Sequence, residues 1–347
     1  MKAKFLTILL LFLAFPVSVF SNDDSSSEKL QPLRVYLDWT PNIEFAGMYA
    51  ALEKGWYEKV GIDLKMVFEG LDIIPNVLKG KADIGMHSAH DLINYVEKGS
   101  TLKAFAAQYQ LNPNSIVVGK NSGINSVKDL KGKVLGVFSP QEYGMFQIML
   151  EYNGLSLSDV KFKDIKTFRE SEIIDLLKSG TVDAIIAWEF NWTVTFALLG
   201  YDVRVFPGYD NGFDYYGIVF FAPEEYIQNN SNLLKRFLKV TFDGWREVYK
   251  RPEYYAKFVV DQYYPKESYI NGSRDLTYKQ QLLELRLRKK YFMEGVGEKY
   301  IGMMSAFRWN KSLKISKKFG LIPATSRLKA EDLFDHSIMV AIARENR

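Results

Sequence analysis

The 347-residue chain contains no cysteine. Disulfide stapling, thiolate metal centres and lipid attachment through a cysteine are therefore excluded. Histidine is nearly as scarce, with three in all. His87 and His90 stand close together with Asp91 beside them, while His336 is remote, and a zinc site needs a better-organised ligand set than this. The chain also lacks a Gly-x-Ser-x-Gly elbow, a phosphate-cradling glycine-rich loop and a zincin motif. The expectation is a protein that is not an enzyme and uses no metal or cofactor. Neither sign of charge dominates: the formal net charge is +4, and it drops to about +2 once Lys2 and Lys4 are set aside. Without a basic stripe, no nucleic-acid partner is expected. The clusters at 286–290 and 311–318 read as solvated helix faces.

Long apolar runs are missing too, apart from residues 5–20. That run follows Lys2 and Lys4, contains Pro16 and gives way at Ser21 to Asn22-Asp23-Asp24. It is shorter than the roughly 20 residues a spanning helix requires. It reads as a secretory signal peptide (1–21) cleaved near Ser21, which leaves no membrane span. The polar, serine-rich stretch 22–32 then reads as a flexible leader.

What is present begins with alternation. Residues 33–39, 63–68 and 82–87 read as strands, separated by an amphipathic helix at 45–60 and a short one at 72–79. This βαβαβ order predicts parallel strands covered on both faces. The order returns about 100 residues later, with strands at 133–138, 160–165 and 182–188 and helices at 143–153 and 170–179. Corresponding junctions read Gly80-Lys81-Ala82-Asp83 and Gly180-Thr181-Val182-Asp183. In each, glycine can take the left-handed conformation that ends a helix. One more strand at 217–222 precedes helical patterns at 233–249, 252–264 and 276–291. The expected organisation is lobe one at 33–118 and 220–347, with lobe two at 119–219. Two crossovers, near 110–120 and 210–222, would form a hinge between them.

Ligands of open α/β sheets bind at the carboxyl ends of the strands, so the loops there are the candidate site. The first carries Asp38, Trp39, Asn42 and Phe45; the second carries His87, Ser88 and Asp91; the third carries Trp188 and Glu189. Aromatic faces with a few placed donors and acceptors suit a small planar ligand. Trp39 suits ligand stacking or core packing, whereas Trp192 reads as core. Glu189 suits the site or the cap of the following helix. Gln141 and Tyr143 precede or open a helix whose backbone N–H groups could hold a polar group. Tyr215 and Tyr216, at the second crossover, would line the cleft or pack the hinge.

Longer motifs carry a resemblance. They include Leu37-Asp38-Trp39-Thr40-Pro41-Asn42, the run from Phe45-Ala46-Gly47 to Gly55-Trp56-Tyr57, Asp214-Tyr215-Tyr216-Gly217, Gly244-Trp245 and Arg308-Trp309. Over residues 33–323 the chain resembles the thiamine-pyrimidine-precursor-binding family of periplasmic substrate-binding proteins, relatives of the fungal thiamine pyrimidine synthases. The resemblance implies an α/β, type II periplasmic-binding-protein fold, with two lobes, a ligand cleft and two hinge crossovers. It implies a periplasmic protein that hands a small-molecule ligand to the permease and ATPase of an ABC importer. The implied ligand is a hydroxymethyl- or formylamino-aminopyrimidine, with Trp39 stacked on the ring and Glu189 accepting from its amine. The synthase branch uses a Lys and a His after the third strand and a cysteine-rich motif. Here the segment reads His87-Ser88-Ala89-His90-Asp91 and cysteine is absent, which argues against the synthase. Related domains also act as sensors, so a binding protein partnering a separate membrane receptor is one alternative, and a pyrimidine-synthase-like enzyme is the other, disfavoured one.

Overall fold

The β-rich repeats seen in the sequence close into two sheets of the same design. The structure, a computed structural model, describes residues 29–345; the signal-peptide segment and its cleavage site near Ser21 lie outside the described residues. Strands β1 (Gln31–Tyr36), β2 (Ile62–Val67), β3 (Ile84–Ser88) and β4 (Leu102–Ala107) join β10 (Ile218–Pro223) in the order β2-β1-β3-β10-β4. Strands β5 (Asn114–Gly119), β6 (Val134–Val137), β7 (Lys161–Asp164), β8 (Ala184–Trp188) and β9 (Val203–Pro207) form the second sheet in the order β7-β6-β8-β5-β9. In each sheet three parallel strands are followed by one antiparallel strand. That strand, β10 or β5, reaches its sheet just after the chain has crossed from the other one.

The repeated junction has a physical function in both sheets. Gly80 and Gly180 have φ of 73° and 69° and end their helices. The aspartate three residues on then clamps the first strand of its unit. Asp83 Oδ2 accepts from the Arg34 amide at 2.7 Å, and Asp183 Oδ2 accepts from the Val134 amide at 2.8 Å. The two aspartates also donate their own amides to the carbonyls of Arg34 and Val134.

The links between the sheets are residues 108–113 and 208–217, and they run against each other. The Gln108 amide donates to the Ile218 carbonyl at 2.8 Å, and the Gly217 amide donates to the Tyr109 carbonyl at 3.0 Å. A Cβ on Gly217 would lie 2.6 Å from the Leu111 carbonyl oxygen, so glycine lets the links touch. Since β5 pairs with β8 and β9, the chain changes sheet before Asn114, ahead of the 118/119 boundary expected above.

Long helices follow. Ser231–Lys250 buries Leu234, Phe237, Leu238 and Trp245 at helical spacing and packs against Ala46–Glu53. Gly244 and Gly47 make that crossing close, because a Cβ on Gly244 would overlap the Gly47 carbonyl. Helix Arg274–Met293 is different: it buries Thr277, Gln280, Gln281, Glu284 and Arg288, a polar stripe at helical spacing. Arg288 is fully buried, which corrects the reading of 286–290 as a wholly solvated face. Among the described residues no helix is long and apolar enough to cross a membrane.

Candidate functional site

The carboxyl ends of β1, β3, β6 and β8 face one another across a cleft of about 370 Å³, within the size range of small-ligand pockets. Of the residues expected at the site, Asp38, Trp39 and Asn42 line it from the loop after β1. His87, Ser88 and Asp91 line it from the end of β3 and the helix after it, and Gln141 and Trp188 line it from the second sheet.

The remaining five lie elsewhere. Phe45 is in the core beside Tyr49, because the short helix Ile43–Phe45 turns it inward. Tyr143 sits within helix Gln141–Tyr152 and packs on Phe162, with ring centroids 4.7 Å apart. Tyr215 and Tyr216 pack the hinge: the Tyr215 hydroxyl meets Ser316 Oγ at 3.0 Å, and the Tyr216 hydroxyl accepts from the Ser305 amide at 3.0 Å. The Glu189 amide bonds to the Pro113 carbonyl at 3.0 Å, and its carboxylate faces Tyr291 and Lys290 instead of the cleft.

An aromatic wall rises from the second sheet. Trp192, read above as core, lines the cleft, and its ring meets Phe138 edge-on at 4.9 Å. Phe138 stacks on Phe168 at 5.4 Å, and Phe168 meets Trp39 of the first lobe edge-on at 6.1 Å. Trp39 and Phe168 thus bridge the lobes at the mouth, both substantially exposed. The lining also includes Leu71, Ile73, Ile74 and Pro75, from a loop and short helix that carried no site signal in the sequence.

The floor is acidic and buried. Asn42 spends its amide on the loop itself, accepting from the Glu44 amide at 2.6 Å and donating to the Thr40 carbonyl at 3.1 Å. That turn places Glu44, unexpected from the sequence, against the buried stripe of helix Arg274–Met293. Arg288 is held by Glu284 and Tyr109, lies 3.8 Å from Glu44, and stacks over the Phe190 ring at 4.6 Å. Glu284 also accepts from Gln280 at 2.8 Å and, across the lobes, from Asn191 Nδ2 at 3.0 Å. Burial pushes the Glu44 carboxyl well above its ordinary pKa, and neighbouring Asp38 adds to the rise while Arg288 opposes it. Burial likewise pushes Asp38 up to about 6, against the pull of His87 and Arg288.

Next to this floor, His87 Nε2 lies 3.2 Å from Asp91 Oδ2. Burial works against the charged imidazole, but the hydrogen bond and charge of Asp91 outweigh it and raise the His87 pKa. His90 is driven the other way, mainly by burial, and its Nδ1 meets Ser88 Oγ at 2.6 Å. Among the described residues no cluster of three or more His, Cys, Asp or Glu is arranged to hold a metal ion.

Comparison with known proteins agrees with this architecture. Residues 42–254 match the family described as NMT1/THI5 like. The formylaminopyrimidine-binding protein of Halalkalibacterium halodurans is 25% identical over 260 residues, covering 73% of this chain and 77% of that protein. The 4-amino-5-hydroxymethyl-2-methylpyrimidine phosphate synthase of Schizosaccharomyces pombe is 22% identical over 302 residues, covering 82% and 81%. Among solved structures, the periplasmic aliphatic sulphonate binding protein SsuA of Escherichia coli superposes with a TM-score of 0.62 at 17% identity, over 89% of this chain and 99% of that one. The fold is therefore the two-lobed α/β fold of periplasmic binding proteins.

Proposed function

The chain belongs to the NMT1/THI5-like family, and from that membership we propose that it is an extracytoplasmic solute-binding protein that delivers a small aromatic ligand to an ABC importer. The ligand class is an aminopyrimidine precursor of thiamine. The observation that carries this reading is the interlobe cleft, in which an aromatic wall faces buried carboxyl groups. A flat heteroaromatic ring fits the wall, and exocyclic N–H groups fit the floor. The similarity to a formylaminopyrimidine-binding protein along most of both chains points the same way.

The protein binds this ligand and does not transform it. No lysine is among the described lining residues and the chain has no cysteine, whereas the synthase branch relies on both residue types. The acceptor role expected of Glu189 passes to the carboxyls that do line the cleft. Lobe one takes β1–β4, β10 and the helices that follow, and lobe two takes β5–β9, with closure about the two links trapping the ligand.

Thermal-shift and calorimetric titration with hydroxymethyl- and formylamino-aminopyrimidines, thiamine, riboflavin and an alkanesulfonate test the reading. An aminopyrimidine should raise Tm and bind with a Kd in the micromolar range or below, since a ligand selective for the folded state stabilises it. Binding of riboflavin or sulfonate in preference to both pyrimidines would refute the ligand class, and turnover of the bound pyrimidine would refute the binding role.

A further inference from the structure

One side chain of lobe two is built into lobe one. Phe190 follows directly on β8 of the second sheet, yet it is fully buried in the apolar core beneath the first. Its ring meets Tyr291 of helix Arg274–Met293 edge-on at 4.8 Å and Tyr109 of the first link edge-on at 5.8 Å. The buried Arg288 guanidinium, held by Glu284 and Tyr109, lies over its face at 4.6 Å. Hydrogen bonds surround this socket. Asn191 Nδ2 donates to Glu284 Oε2 at 3.0 Å, the Glu189 amide to the Pro113 carbonyl at 3.0 Å, and Lys290 Nζ to the Tyr209 hydroxyl at 2.7 Å. Trp188, Asn191 and Trp192 line the cleft, whereas Phe190 is not among the lining residues.

At the mouth the lobes meet differently. Trp39 touches Phe168 edge-on at 6.1 Å, and the two side chains are 37% and 53% exposed. Parting them uncovers little that is not already in water. Withdrawing Phe190 would instead expose a whole buried ring, forfeit its stack on a desolvated guanidinium and leave a ring-sized cavity in lobe one. The mouth therefore gives way long before the socket does.

We infer that Phe190 is a third pivot of the hinge, which with the links 108–113 and 208–217 fixes the axis on which the lobes move. Two strand links by themselves allow both bending and twisting. A ring seated in a socket beside them removes the twist, so the cleft opens at Trp39 and Phe168 while its back wall at Trp188, Asn191 and Glu284 keeps its shape. A ligand meets a wall that is already formed, and the swing of Phe168 covers it. Phe190 is thus a positioning residue that acts on every ligand alike. What the motion serves rests on the solute-binding reading; the pivot itself belongs to the empty protein.

The test uses spin labels, which can be placed at will because the chain has no native cysteine. Ala197→Cys with Lys279→Cys puts one label on each of the two helices that meet at the socket, Trp192–Leu198 and Arg274–Met293. Glu69→Cys with Lys166→Cys puts one on each side of the mouth, and all four positions are exposed. In the ligand-free protein the mouth pair should give a distance distribution about twice as wide as the socket pair. Phe190→Ala in the same labelled chain should widen the socket pair toward the mouth pair. It should also weaken hydroxymethyl- and formylamino-aminopyrimidine binding by the same factor. Equal widths for the two pairs, a socket pair that stays narrow in folded Phe190→Ala, or a loss confined to one of the two pyrimidines would overturn the inference. If Phe190→Ala does not fold, the two widths in the labelled parent decide. A narrow socket and a wide mouth in a protein that binds neither pyrimidine would uphold the pivot and defeat the ligand reading. Pyrimidine binding with equal widths would do the reverse.

Discussion

At the scale of single residues, the site divides into side chains that meet the cleft and side chains that shape the loops behind it. Trp39 is of the first kind: it is 37% exposed and touches Phe168 only edge-on. Truncating it removes little from the folded state and much from a stacked ring. Trp39→Ala should weaken ligand binding by about 1–3 kcal/mol with Tm nearly unchanged, as calorimetry and thermal denaturation on the same sample will show. An unchanged Kd would make Trp39 a bystander at the mouth. Asn42 is of the second kind, since both ends of its amide are spent within its own turn. The sequence left Trp39 open between ligand stacking and core packing, because an aromatic at a strand end serves either, and the structure puts it at the cleft mouth. Glu44 was not foreseen, because the same loop offered Phe45 as its candidate, and only the short helix Ile43–Phe45 decides that Phe45 faces the core while Glu44 lines the cleft. Glu189 misled for the opposite reason: its place at a strand end was right, but the turn after β8 aims its carboxylate at Tyr291.

Among the elements, the repeated Gly-x-x-Asp junction was legible, and the structure supplies its reason in the paired clamps on Arg34 and Val134. The strands β4, β5 and β9 were not placed in advance. They have no counterpart in the βαβαβ pattern, and the antiparallel pairing that defines β5 joins residues far apart in the chain. Nor was the polar stripe of Arg274–Met293 foreseen, because glutamine, glutamate and arginine at helical spacing normally mark a solvated face. The links themselves give a test. Gly217→Ala would drive a methyl against the Leu111 carbonyl and the Tyr109 side chain. Such overpacking should cost about 1–3 kcal/mol, seen as a lower midpoint in chemical denaturation. A variant as stable as the parent would mean that the links have room to part.

For the whole molecule, the buried carboxyls set how stability varies with pH. Burial raises Asp38 to about 6 from 3.8 and Glu142 to about 7 from 4.5. A carboxyl with a raised folded pKa binds more protons folded than unfolded. Its stabilising contribution is complete below the unfolded value and is lost as pH rises through the folded one. The ligand-free protein should therefore lose stability between about pH 4 and pH 7 at these groups. Asp91 acts in the other direction at lower pH, because His90 and His87 outweigh burial and hold it at about 2, so its contribution is lost only in stronger acid. Glu142→Gln should raise stability at pH 8 by on the order of 1 kcal/mol and leave it unchanged at pH 4. Urea titrations at both values check this, and equal effects at the two would mean that the Glu142 proton is the same folded and unfolded.

The strand exchange between the sheets also fixes the order in which the molecule can be made. β10 sits between β3 and β4, yet its residues are synthesised after all of β5–β9. Until Pro223 has left the ribosome, the first sheet has a gap in its middle, with two open edges able to pair with anything extended nearby. The second sheet, by contrast, can be completed once Pro207 has emerged. The half that is written second is therefore the one that can close first, and a growing chain stopped between the two points carries a finished domain behind an unfinished one.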